Sequence, residues 1–104
     1  MSDEKIYMLN ALWFKADGGR ETYQEYIKLA SPFIEAVGGK KLDAFKTDKA
    51  LIGDFDADLV FFVEYPNWQA FKIFVSNEDY QKNAVPVREK ALDNSLLVRC
   101  SKID

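Results

Sequence analysis

The chain has 104 residues, a formal charge of −3, and a composition 48% hydrophobic and 30% charged. It is expected to fold as one domain over residues 1–104, large enough to bury roughly 65% of its unfolded surface without covalent staples, and its acidic balance disfavours nucleic acid and anionic membranes as partners. A single cysteine, Cys100, excludes an intrachain disulfide, and the lack of histidine excludes Ser-His-Asp and Cys-His sites and removes the commonest metal ligand.

The chain opens Met1-Ser2-Asp3-Glu4-Lys5, without the basic and then apolar pattern of a secretion leader. No apolar run approaches the ~18 residues of a membrane span. A cytoplasmic location is therefore expected. Ile6 to Phe14 is a nearly continuous apolar run closed by Asp17-Gly18-Gly19, and it reads as a strand buried on both faces. Tyr23, Tyr26, Ile27, Ala30, Phe33, Ile34 and Val37 recur at steps of three and four, the stripe of a helix from about Arg20 to Val37. Pro32 should kink that helix near Lys28 to Ser31. Gly38-Gly39 should close it in the left-handed conformation.

Lys40 to Asp48, carrying Lys41 and Lys46, reads as an edge strand protected by charge. A turn-rich connection follows from Leu51 to Asp58. Leu59 to Tyr65 is a second fully apolar strand, ended by Pro66-Asn67, which should cap a helix from about Trp68 to Val75. Ser76 followed by Asp79 signals the start of another short helix. Pro86 should divide that region into two pieces, the second ending near Asn94, and Ser95 to Ile103 reads as the last strand. The order is β-α-β-β-α-β, a ferredoxin-like α+β fold with an antiparallel sheet and helices on one face.

A sheet with one wet face should alternate apolar and polar residues, and these strands do not. In the first strand Tyr7, Leu9, Ala11 and Trp13 oppose Ile6, Met8, Leu12 and Phe14. In the third, Val60 and Phe62 oppose Leu59, Phe61 and Val63. Both faces need cover, and a second copy of the sheet is the economical source, so a homodimer is expected. A pocket is expected in the space such a dimer encloses, or between sheet and helices within each subunit.

Several residues in order resemble those of the uncharacterised domain-of-unknown-function family 1330, in the dimeric α/β-barrel superfamily. They are Tyr23-x-x-Tyr26 with Pro32 downstream, Gly38-Gly39-Lys40, Gly53-Asp54, Glu64-Tyr65-Pro66, Ser76 with Tyr80, Arg88, and Ser95. The likeness runs from about residue 6 to 100; the Asp17-Gly18-Gly19-Arg20 connection departs from the pattern. The resemblance implies the fold and a dimeric α/β barrel, and it implies no settled activity. Superfamily relatives include cofactor-free monooxygenases, lactone isomerases and haem enzymes, and fold alone transfers none of these chemistries. No cofactor or metal is expected.

Five residues stand as candidates for a small-molecule site. Arg88 suits two-point contact with a carboxylate or enolate, the alternative being a salt bridge to Asp54 or Glu64. Glu64, on the face of Val60 and Phe62, is a candidate base if its surroundings raise its pKa, and otherwise an ion pair at the sheet rim. Asn10 and Trp13 resemble residues that orient polycyclic substrates in superfamily oxygenases. Their separation of three positions puts them on opposite faces of a regular strand, so core packing is the plainer reading for Trp13. Tyr7, Tyr23, Tyr26, Tyr65 and Tyr80 are candidate pocket phenols, and Tyr26 is preferred because the kink at Pro32 would open space beside it.

Asp54, Asp56 and Asp58 resemble the start of a calcium loop, but Leu59 and Tyr65 stand where glycine and glutamate are required, which leaves a solvated turn. Cys100, flanked by Arg99, reads as a buried structural cysteine on the last strand, the alternative being a reactive thiol if it is exposed. Ile6-Tyr7-Met8-Leu9-Asn10 and Phe62-Val63-x-Tyr65 resemble motifs of RNA-recognition domains, but Asp58-Leu59 replaces their basic residue and glycine. The expected function is binding of a small, anionic or aromatic organic molecule, with cofactor-free catalysis as its extension. The rival is a non-catalytic interaction module that fills the same space with Trp13, Phe62 and Phe74.

Overall fold

Residues Ile6–Phe14 form β1, and the apolar run that defines it is hydrogen-bonded on both sides. A computed structural model describes residues 4–103 of the protein; Met1–Asp3, the start of the stretch read for a leader, and Asp104 lie outside the described residues. After β1 come α1 (Gly19–Ala36), β2 (Lys40–Lys46), β3 (Leu59–Tyr65), α2 (Trp68–Ser76), α3 (Glu78–Asn83), α4 (Val85–Ala91) and β4 (Leu92–Cys100). The strands lie in the order β2-β3-β1-β4, every neighbouring pair antiparallel. Each helical crossover skips one strand position, which is the ferredoxin-like arrangement expected from the sequence. The sheet is open, with β2 and β4 as its edges, so one chain does not close a barrel. No helix among the described residues is long and apolar enough to cross a membrane.

Several boundaries differ from the sequence reading, among them the ends of β2 at Lys46 rather than Asp48 and of β4 at Cys100 rather than Ile103. The cap of α3 is Asn77, whose side chain accepts from the Tyr80 N–H at 3.0 Å. Ser76 instead donates to the Lys72 carbonyl at 2.7 Å, still inside α2. The third helix of this region ends at Ala91, and the last strand begins at Leu92 rather than Ser95. Pairing explains this shift, because Leu92 sits opposite Phe14 and the full length of β1 draws β4 into register. Asp93 and Asn94, turn formers by propensity, are tolerated because β4 is an exposed edge.

The helix α1 runs unbroken through Pro32, and the Ser31 hydroxyl donates to the Ile27 carbonyl at 2.6 Å just before the proline. It ends as expected: Gly38 has φ 83°, and the N–H groups of Gly38 and Gly39 reach the carbonyls of Glu35 and Ile34 at 2.9 and 2.8 Å. At its other end Gly19 lies against the end of α4. A Cβ on Gly19 would stand 2.5 Å from the Ala91 carbonyl oxygen, which itself accepts from the Lys15 N–H at 2.9 Å.

The helices cover one face of the sheet. Ile6, Met8 and Leu12 of β1 and Phe61, Val63 and Tyr65 of β3 are buried there with Tyr23, Tyr26, Phe71, Phe74 and Tyr80. Ala30, Ala84 and Ala91 are fully buried, and their small size lets α1 and α4 pack closely. On the opposite face no described element covers Phe62, Leu96 and Val98, which are 37%, 42% and 38% exposed. Phe45, paired with Val60 on that face, is more exposed still.

The Gly19→Ala variant should lose about 1–3 kcal/mol of stability, the usual cost of forcing an extra carbon into a closed contact. Urea unfolding should show a lower midpoint with an unchanged slope. A variant as stable as the parent would mean that the α1–α4 junction yields freely.

Candidate functional site

Between the helix layer and the sheet lies a cavity of about 550 Å³. This volume lies within the usual range for small-molecule sites. Met8 and Asn10 of β1 and Phe61, Val63 and Tyr65 of β3 form its floor. Tyr23, Tyr26 and Ile27 of α1, Phe71 and Phe74 of α2, Tyr80 of α3 and Arg88 of α4 form its roof and walls. Exposed Glu35, Lys40, Lys41 and Gln81 also line it and mark its opening to solvent.

Strand parity decides which candidates arrive here. Asn10 follows Met8 on the helix-facing side, and its amide donates to the Met8 carbonyl at 3.1 Å. Its second polar atom has no protein partner among the described residues. It is not sealed in the interior either, so it is reachable from the cavity. Tyr26 is buried, and its hydroxyl is 2.7 Å from that of Tyr80. Arg88 is half-buried. Among the described residues it has no carboxylate at salt-bridge distance, so neither of its expected partners, Asp54 and Glu64, pairs with it.

Trp13 and Glu64 are not brought to this cavity. Trp13 points to the uncovered face, where its indole N–H donates to Asp56 at 2.8 Å and its ring meets Phe55 edge-on. The bulge in the β1–β4 pairing falls between Trp13 and Phe14, too late to turn Trp13 toward Asn10. Glu64 shares that outer face with Phe62, and its carboxylate lies 3.6 Å from the Lys5 ammonium. Two of the three aspartates read as a turn, Asp56 and Asp58, have structural partners. Asp56 holds Trp13, and Asp58 accepts from the Phe14 N–H at 2.8 Å while its own N–H donates to Leu12.

Tyr23, Tyr65 and Tyr80 join Tyr26 in the cavity wall, whereas Tyr7 lies on the outer face with Lys102 over its ring. The sequence placed Tyr23 on the same helical stripe as Tyr26. Nothing local marks the meeting of Tyr26 and Tyr80, which lie 54 positions apart. Burial pushes the hydroxyls of Tyr23, Tyr26 and Tyr65 well above the ordinary tyrosine value of 10.0. At Tyr26 the Tyr80 hydroxyl adds to this, and at Tyr23 and Tyr26 the positive charge of Arg88 pulls the other way. All three phenols are therefore neutral donors at ordinary pH.

These raised values fix a sign. The unfolded chain ionises its phenols near pH 10, while the fold holds Tyr23, Tyr26 and Tyr65 protonated. Their contribution to stability is complete below about pH 10 and falls above it, by up to about 1.4 kcal/mol per pH unit for each phenol. Alkaline titration followed by phenolate absorbance should show these three ionising only as the protein unfolds. Free ionisation of all five tyrosines in a folded protein would contradict the closed aromatic wall.

Comparison with solved structures places this geometry among known folds. The RPA0582 protein of unknown function from Rhodopseudomonas palustris is 30% identical, with a TM-score of 0.87 over 98% of this chain and 85% of that one. A dimeric protein of unknown function with a ferredoxin-like fold from Bacteroides fragilis is 7% identical, with a TM-score of 0.66 over 94% and 96% of the two chains. SnoaB, a cofactor-independent oxygenase from Streptomyces nogalater, is 10% identical, with a TM-score of 0.70 over 97% and 95%. The last two likenesses are of fold alone. No curated protein matches the chain. The model of the domain of unknown function DUF1330 matches residues 7–99, and the chain belongs to that family.

Proposed function

We propose that the protein is a homodimer whose subunits each bind a small, partly apolar organic molecule in the cavity between sheet and helices. The observation that carries this reading is an open volume of about 550 Å³ beside an arginine with no carboxylate partner among the described residues. Arg88, Lys40 and Lys41 line the cavity against the single carboxylate of Glu35, in a chain whose net charge is −3. That local reversal of sign favours an anionic or strongly accepting ligand. Asn10 and Tyr26 supply hydrogen bonds, and Met8, Phe61, Phe71 and Phe74 supply apolar walls.

An interaction module that filled this space would bring Trp13 and Phe62 into it with Phe74. Both stand on the opposite face, which favours the binding reading. That opposite face supports the dimer, because Phe62, Leu96 and Val98 form an apolar surface that no described element covers. A fold neighbour described as dimeric agrees with it. In this reading Trp13 and Glu64 belong to the interface side of the sheet. The reading is of binding; a fold shared with a cofactor-independent oxygenase assigns no reaction.

The Arg88→Ala variant should bind benzoate about 10- to 100-fold more weakly by calorimetry, the loss of one charge-assisted contact. It should elute as the parent does. Equal affinity in parent and variant would remove Arg88 from the site. The Phe62→Lys variant should keep its fold and fall to the mass of one chain in light scattering. A variant that kept the mass of two chains would move the interface elsewhere.

A further inference from the structure

We infer that the ligand presents a single oxyanion, a phenolate or an enolate, to the Tyr26–Tyr80 hydroxyl pair with Arg88 beside it. This rests on the cavity being a small-molecule site, and it adds the chemical class of the molecule.

The argument begins with proton counting. Two phenols 2.7 Å apart share one hydrogen bond, so one donates and the other accepts. The accepting hydroxyl keeps a proton of its own, which has no protein acceptor among the described residues. Both rings line the cavity, so that proton is available to a molecule inside it. Tyr23 lies in the same wall, its ring 5.2 Å from that of Tyr26, and its hydroxyl has no protein partner among the described residues. The charge of Arg88 is felt at both Tyr23 and Tyr26. This corner therefore offers spare donors, namely the accepting phenol's proton, the Tyr23 hydroxyl and the Arg88 guanidinium, and among the described residues no carboxylate pairs with that guanidinium.

The donor geometry suits one oxygen better than two. A hydroxyl pair directs its free proton along one line, unlike the two-pronged fork that a carboxylate prefers. The surrounding surface of Phe61, Phe71 and Phe74 is apolar and aromatic, which suits a ring or conjugated system next to that oxygen. Among lining residues the carboxylate is that of Glu35, which is exposed at the opening with Lys40 and Lys41. It does not place negative charge among the buried phenols.

The proton balance is simple. A weakly acidic phenol or enol releases its proton to solvent on binding, no bond to carbon changes, and Tyr23 and Tyr26 keep their protons because burial holds them neutral. An arginine cation and phenolic donors then stabilise the bound anion over its conjugate acid.

The test uses 4-nitrophenol, whose ionisation is read directly by absorbance, with 4-nitroanisole and 4-nitrobenzoate as controls on the full chain. Bound 4-nitrophenol should ionise about one pH unit below the free compound, equivalent to about tenfold tighter binding of the phenolate than of the phenol. The Tyr26→Phe/Tyr80→Phe double variant, which keeps ring shape, should lose that shift and still bind 4-nitroanisole. Retention of the shift in the double variant would overturn the assignment. So would equal binding of 4-nitrophenol and 4-nitroanisole with unshifted ionisation, which leaves the cavity reading intact. Tighter binding of 4-nitrobenzoate than of nitrophenolate would overturn the single-oxygen geometry. Failure of all three compounds to bind would sink the cavity reading and this inference together.

Discussion

The structure depends on β1 being paired on both sides, to β3 and to β4, so that its backbone is saturated and only its two faces remain to be buried. Alternation then sends Ile6, Met8, Asn10 and Leu12 toward the helices, and Tyr7, Leu9, Ala11 and Trp13 away from them. Leu12 is fully buried, and the carbonyl of the same residue accepts from the Asp58 N–H. Asp58 answers with its carboxylate on the Phe14 N–H, clasping the end of the strand from the connection that leads into β3. A slip of one residue would exchange both faces at once, placing Trp13 under the helices and Asn10 outside.

The cavity follows from how the helix layer sits on that strand. At one end Gly19 and Ala91 bring α1 and α4 together with no room for a side chain. Farther along α1, the ring of Tyr23 meets that of Tyr26, which meets Tyr80 and, through it, Phe74. Rings in edge and tilted contact hold their elements apart by their own breadth, and small residues let them close. An aromatic wall with phenolic tips is the result. Its rings are buried, yet among the described residues no polar side-chain atom is sealed away without a partner. The hydroxyls are tied to one another or reachable from the cavity, so polarity inside the fold does not incur the desolvation cost of an orphaned group.

Much of this was legible in the residues. The bounds of β1 and β3 follow from uninterrupted apolar runs, and the end of α1 follows from Gly38-Gly39, because these signals are local and strong. The end of α4 was read three residues late because Asp93 and Asn94 carry turn propensity that sheet pairing overrides. Of the five candidates, Asn10, Tyr26 and Arg88 line the cavity, while Glu64 and Trp13 lie across the sheet. Parity had already grouped Glu64 with Val60 and Phe62. It could not say which group the helices would cover, since both faces are apolar. The Tyr26–Tyr80 contact joins helices on opposite sides of the chain's midpoint, and no periodicity within either helix encodes it.

The two apolar faces of the sheet therefore carry two different consequences. On the helix side, packing is incomplete and the gap is lined with the polar groups of Asn10, Tyr26, Tyr80 and Arg88; on the other, the surface is covered by no described element. Neighbouring positions serve both, since Asn10 touches the cavity while Leu9 and Ala11 face outward, and Phe61 lies beneath the helices while Phe62 lies above open solvent. A second sheet laid on the outer face would press on the backbone that forms the cavity floor. It would do so through residues whose side chains never enter the cavity. Cover for the outer face and stiffness of the floor then have one physical origin. The strands whose outer side no described element covers are the strands that hold Met8, Asn10 and Phe61 in place.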